Sequence, residues 1–366
     1  MHLDFPVFGL VFSGGGARGA YEIGVAQYLA SQNWVPSAYA GASIGALNAV
    51  FLAGAPSFQE GVHRLEEVWR TLKIQDIVKM NHQMVVLGLV HAAVKRGIVL
   101  HPGLAVYDEA FNLLASKIKV MKDVKNISQL ITEHPLLSKL QQGLLDNQFL
   151  RRLLEEQLGI HDMENASPIW VSAYPSKGMT RDIVDYLLAG SGIRDTNESH
   201  YLQLNEIRKE ERLSAILASA AIPGVYSRQT VNGQPYVDGG VGGAVHSRGN
   251  TPLTPLVLAG YTHCVVVNLS DGSMFNRHEF KNTTIIEVRP EQTLHRNGLL
   301  PSLFDFRPER IQSLISQGYA DAKRCIGESL TALSLVRGGR AAAQLKEDRL
   351  LELKNDGFDD AMKLLD

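Results

Sequence analysis

The chain has 366 residues, 45% of them hydrophobic, enough for one large α/β domain or two modest ones with a sizeable core. Its 36 Lys and Arg nearly balance 38 Asp and Glu, and no Lys/Arg-rich block stands out, so nothing in the charge points to nucleic acid. Two cysteines, Cys264 and Cys325, make no disulfide framework and fit a reducing compartment.

The N-terminus shows no basic region followed by an apolar one, the pattern of a secretory leader. Residues 23–59 carry no charge, but Asn33, Pro36, Ser37, Ser43 and Asn48 interrupt them. No segment reaches the ~20 apolar residues of a membrane span. A soluble, cytoplasmic protein with transient membrane contact is expected.

In chain order, Val7 to Phe12 reads as a buried strand, apolar without alternation. Gly19 to Ala30 reads as a helix, Tyr39 to Ala42 as a short strand, and Ile44 to Ala53 as a helix stopped by Gly54 and Pro56. This run makes a βαβ crossover whose two loops lie side by side at the carboxyl ends of parallel strands. Residues 57–165 are different. Helical patterns at Phe58 to Leu72, Tyr107 to Lys119, Ile127 to Leu145 and Phe149 to Leu158 predict a helical insertion over that sheet edge. The apolar Met84 to Val94, flanked by Lys79, Lys95 and Arg96, reads as a buried helix of this cap, or as an interfacial segment meeting lipid headgroups. Further strands are expected at Ile169 to Tyr174, Ile183 to Leu188, Pro235 to Asp238, His263 to Leu269 and Thr284 to Val288. Helices are expected from Asn205 to Ala221, from Thr251 onward and from Pro308 to Leu330, with a charged helix in the tail from Ala341. Cys264 is expected as buried packing.

Three stretches carry chemistry. Ser13-Gly-Gly-Gly-Ala-Arg-Gly19 is a loop of bare backbone N–H groups between a strand and a helix, an anion-binding corner. It also fits the dinucleotide fingerprint Gly14-x-Gly16-x-x-Gly19. That reading needs an acidic residue about 20 positions on, and residues 23–59 supply none. Gly41-Ala-Ser-Ile-Gly45 has the form of a nucleophile elbow, with Ser43 on a tight strand-to-helix turn. An anion cradle beside an exposed serine suits acyl transfer, where negative charge appears on a carbonyl oxygen as serine attacks. Asp238, in Tyr236-Val-Asp-Gly-Gly240, is the candidate base. His246 and His295 could in principle close a triad, but no local feature marks either one. No His, Cys or Asp cluster has the spacing of a metal site.

Together, Gly14-Gly-Gly-x-Arg-Gly19, Gly41-x-Ser-x-Gly45 and Asp238-Gly-Gly240 resemble the patatin-like phospholipase family. Ala218-Ser-Ala-Ala-Ile-Pro-Gly224 and Asn250-x-Pro-Leu253 also look like blocks of that family. The resemblance covers 7–54 and 168–290 closely. It implies a three-layer α/β/α patatin-like fold with a mainly parallel sheet. It also implies a Ser43–Asp238 dyad without histidine, and an oxyanion hole from the loop Gly14, Gly15 and Gly16 with Arg18 adding positive charge or bracing the loop. The implied activity is that of a lipid acyl hydrolase, of phospholipase A or lysophospholipase type, with no cofactor and no metal. Phospholipid or another acyl lipid would be the substrate. The alternative is a partner-activated membrane effector of low intrinsic turnover, with an activating protein or a second copy as partner. One domain is expected over 1–335 with the insertion at 57–165, and a charged helix over 336–366. The family usually reaches its Asn-x-Pro block sooner after the Asp-Gly-Gly motif, so the loop Val241 to Gly249 is an extension expected at the active-site mouth.

Overall fold

The structure, a computed structural model, describes residues 7–72, 147–157, 160–191, 195–270, 274–295 and 302–355. The expected helices at 107–119 and 127–145 and the apolar 84–94 stretch lie outside the described residues. Strands β1 (Gly9–Phe12), β2 (Ala38–Ala42) and β3 (Ile169–Pro175) pair in parallel in the order β1-β2-β3. On the other side of β1, β7 (His263–Val267) and β8 (Thr284–Val288) continue the parallel sheet. The far edge is antiparallel: β4 (His200–Gln203) pairs with the first half of β3, and β6 (Gln234–Asp238) with its end. The strand β5 (Gln229–Val231) then pairs with β6.

The central strands are almost wholly apolar, with Ser172 of β3 an exception, because both sheet faces are covered. Leu10, Phe12, Tyr39, Val171, Val265 and Val267 point into the larger core. That core is filled by helices α1 (Ala20–Ser31), α2 (Ile44–Ala53), α3 (Phe58–Thr71), α4 (Gln148–Gln157) and α6 (Lys209–Ser219), and by the first turns of α8 (Pro308–Asn355). Alternate residues Val11, Ala40, Trp170 and Val266 face the second layer. There the short α7 (Thr254–Leu258) supplies Leu256, and Phe275 stacks on Phe280. The architecture is α/β/α, with unequal outer layers. Cys264 is buried in the second layer.

Several elements depart from expectation. Residues 183–188 lie in a helix, α5 (Met179–Ser191), rather than in a strand. Ser176 Oγ donates to Asp182 Oδ2 (2.5 Å) and Lys177 N to Asp182 Oδ1 (2.8 Å), fixing its first turn, and Arg181 pairs with Asp185 one turn on. These local contacts override the β-branched Ile183-Val184 pair. Strands β4 and β5 were not expected. The β5–β6 hairpin turns on Asn232-Gly233, both with positive φ (49° and 76°), a two-residue turn of mirror-image type. A single helix, α8, spans Pro308–Asn355 where two helices were expected. Helix α3, assigned to the insertion by sequence, buries Phe58, Val62, Leu65, Val68 and Trp69 in the main core. Among the described residues no helix is long and apolar enough to cross a membrane.

Candidate active site

Strand β2 runs directly into α2 through Ser43, which sits at φ 51°, ψ −123°. Such a backbone is disfavoured for any residue with a side chain, by ~1–3 kcal/mol, and persists only where its surroundings enforce it. The flanking glycines explain how. A Cβ on Gly45 would lie 2.6 Å from the carbonyl oxygen of Phe12, and one on Gly41 would collide with the carbonyl of Gly45. The elbow is pressed against the end of β1, and only hydrogen side chains fit on either side of the serine. From outside the elbow, Ser43 N donates to Ser219 Oγ at 3.0 Å.

The Gly-rich loop passes over the same point: a Cβ on Gly14 would stand 3.1 Å from Ser43 Cβ. Gly14 is clasped by Asn250, donating its N–H to the Asn250 carbonyl (3.1 Å) and accepting from Asn250 Nδ2 (3.3 Å). Its N–H is therefore occupied. Those of Gly15 and Gly16 have no acceptor among the described residues, and both line the cleft in front of Ser43. Arg18 is not a surface residue; it is buried at 7% exposure. Its Nε donates to the Gly15 carbonyl (3.0 Å), and its Nη1 reaches the Leu269 carbonyl (3.3 Å) and His295 Nε2 (2.9 Å). Burial draws its pKa down to about 10, so the guanidinium stays charged at neutral pH. It braces the loop from behind.

Asp238 ends β6 and is 4% exposed. Its Oδ1 accepts from Gly240 N (2.8 Å), and its own N–H donates to the Ala221 carbonyl (2.9 Å). Burial is the largest influence on the carboxyl and pushes its pKa up to about 6, although hydrogen bonding from Ser43 and from Gly240 draws it down. The Ser43 contact is looser than a full hydrogen bond, because Oδ2 has no partner of hydrogen-bond geometry. Resting sites often hold such pairs loosely until substrate arrives. The segment Ala218 to Gly224 thus holds both members: Ser219 grips the serine backbone and Ala221 that of the aspartate. No role for Ser219 or Asn250 was readable, although both lie in blocks that the sequence set apart.

The two histidines are elsewhere. His246 Nδ1 pairs with Glu279 Oε1 at 2.9 Å on the extended loop, which Arg248 also clips to Glu198 and Glu279. His295 lies against Arg18. Neither has a contact with Ser43.

Two spaces meet at Ser43. One is an apolar cavity between α2, α3 and α4, walled by Leu47, Phe51, Leu65, Val68, Leu153 and Phe304 among others. The other is a more polar cleft lined by Gly15, Gly16, Asp238, Ser247, Asn250 and Tyr186, together with Ile222, Ala244 and Leu303. The polar edge of the apolar cavity, Asn48, is already satisfied. It donates to the Gly19 carbonyl and to Glu22 Oε2, and accepts from Trp69 Nε1.

A profile of the patatin-like phospholipase family matches residues 10–256, which includes the elbow, the Gly-rich loop and Asp238. The chain belongs to the patatin-like phospholipase family. Membership places this patatin domain among the lipid hydrolases. A search of curated proteins finds no match. Solved structures that resemble it include VipD from Legionella pneumophila, with 14% identity and a TM-score of 0.41 over 88% of this chain and 67% of that one. The type III effector ExoU resembles it at 16% identity and a TM-score of 0.37, over 88% of this chain and 53% of ExoU. The patatin chain thus spans about half the length of that effector.

Proposed function

We propose that the protein hydrolyses carboxyl esters of phospholipids or related acyl lipids through a Ser43 acyl-enzyme. The single observation that carries this reading is the strained Ser43, which shares a cleft with a buried carboxylate and with two backbone N–H groups that have no acceptor among the described residues. Asp238 accepts the Ser43 proton as Oγ attacks the ester carbonyl, and the N–H groups of Gly15 and Gly16 receive the oxyanion. One such donor contributes ~3–4 kcal/mol to the transition state. An ordinary carboxylate is too weak a base at neutral pH, and a pKa of about 6 narrows that gap while leaving the group ionised. The acyl chain lies in the apolar cavity, where the Asn48 amide is already hydrogen-bonded and so does not penalise a hydrocarbon. The alcohol portion faces the polar cleft. No step requires a metal.

Labelling with a fluorophosphonate probe, read by intact mass and peptide mapping, tests this without a choice of lipid. A single adduct on Ser43 is expected for wild type and none for folded Ser43→Ala. An adduct that persists in Ser43→Ala contradicts the assignment.

A further inference from the structure

Helix α5 carries a residue into the cleft that the dyad and the oxyanion loop leave unused. Tyr186 rests its half-buried ring on the small apolar cluster of Tyr174, Val237 and Val241, which flanks Asp238 on both sides in sequence. It lines the polar cleft beside Ser43, Asp238 and Gly240, and takes no part in the apolar cavity. Three other tyrosine hydroxyls around the sheet are committed within the protein: Tyr174 donates to Asp185 (3.0 Å), Tyr21 donates to Asp321 (3.1 Å), and Tyr236 meets His200 (3.0 Å). Tyr39 and Tyr226 have no such partner among the described residues, but neither lines this cleft. Among the described residues, no hydrogen bond occupies the Tyr186 hydroxyl. It shares the lining of the cleft with Asp238 and Arg18, the two charged groups that act on it.

We propose that Tyr186 is a catalytic residue that donates a hydrogen bond to the leaving alcohol oxygen as the acyl–oxygen bond breaks. This rests on the Ser43–Asp238 reading given above. The direction follows from the division of space. With the acyl chain in the apolar cavity and the carbonyl oxygen on Gly15 and Gly16, the alcohol oxygen is left facing the polar cleft, on the Asp238 side. In the first half-reaction the Ser43 proton passes to Asp238 while the Oγ–carbon bond forms and the carbonyl electrons move to oxygen. When the adduct collapses, the carbon–oxygen bond to the alcohol breaks and Asp238 returns that proton to the departing oxygen. Tyr186 keeps its own proton and stabilises the charge in transit. Burial and the Asp238 carboxylate push its pKa up to about 12, which keeps it a donor and not a base across the working range.

The test compares Tyr186→Phe with wild type on two esters of the same acyl chain. One is a p-nitrophenyl ester, whose leaving group needs no proton, and the other a glycerol ester, whose leaving group does. The expected result is a fall of ~100-fold in kcat/KM on the glycerol ester, the order of removing one hydrogen-bond donor to charge that develops in the transition state, with little change on the p-nitrophenyl ester. Fluorophosphonate labelling of Ser43, which expels fluoride, should proceed at the wild-type rate and shows that the variant is folded. Equal losses on both esters, or no loss on either, overturn the assignment. Labelling in both proteins keeps that failure distinct from a failure of the dyad, and absence of label on wild type overturns both.

Discussion

Ser43 and Asp238 both sit in settings that cost stability. The serine holds a backbone angle that favours glycine, and the aspartate holds a charge away from water. The sign for Asp238 follows from its raised pKa. A carboxyl whose folded pKa lies above its unfolded value of ~3.9 favours folding most at pH values below both. That contribution is lost as pH rises through about 6. Asp238→Asn keeps an oxygen that can accept from Gly240 and removes the charge. It is therefore expected to raise unfolding free energy by ~3 kcal/mol at pH 8 and by almost nothing at pH 4, read by urea denaturation. A loss of stability at pH 8 would contradict this. Ser43 and Asp238 were legible in the sequence because their neighbours are glycines that the local backbone demands. Tyr186 was not, because a lone tyrosine in Asp182-Ile-Val-Asp-Tyr186 has no motif around it, and its stretch reads as a strand.

At the scale of elements, the site is an assembly of loop ends held by segments remote in sequence. The β1–α1–β2–α2 run was legible because apolar strands and glycine breaks alternate there. The tie across 176 residues from Ser219 to Ser43 was not, since it exists only once α6 packs against the sheet. Ser219 is fully buried, and Ser219→Ala leaves the Ser43 N–H without its acceptor. A loss of ~1–3 kcal/mol in stability is expected, the ordinary effect of stranding a buried donor. A fall of ~10–100-fold in kcat follows if the elbow shifts by a fraction of an ångström. Ser219→Thr keeps the hydroxyl and should recover part of the loss; wild-type kinetics in Ser219→Ala would show that the elbow holds itself. Helix α1 crosses α8 so closely that Gly24 faces the carbonyl of Ile315 with no room for a side chain. Sequence periodicity marks the two helices and cannot reveal that their backbones touch.

For the whole molecule, the sheet divides the work. Its larger face carries the apolar cavity between helices, and its antiparallel edge delivers Asp238 to the cleft at the elbow. The parallel centre was legible from apolar runs; of the antiparallel edge only β6 was, because β4 and β5 are short and partly polar. The extended loop of residues 241–249 does lie at the mouth: Ala244 and Ser247 line the cleft, and Arg248 anchors it to Glu198 and Glu279. The two candidate triad histidines are held by Glu279 and by Arg18, which leaves the aspartate as the sole base in the account. The rate of fluorophosphonate labelling of Ser43 against pH, in wild type beside Asp238→Asn, tests that claim most directly. The account predicts a rate that rises with pH through about 6 in wild type. In Asp238→Asn the rate should be far lower, with that rise abolished. A rise that survives in Asp238→Asn, or one that vanishes in His246→Ala or His295→Ala, would contradict it.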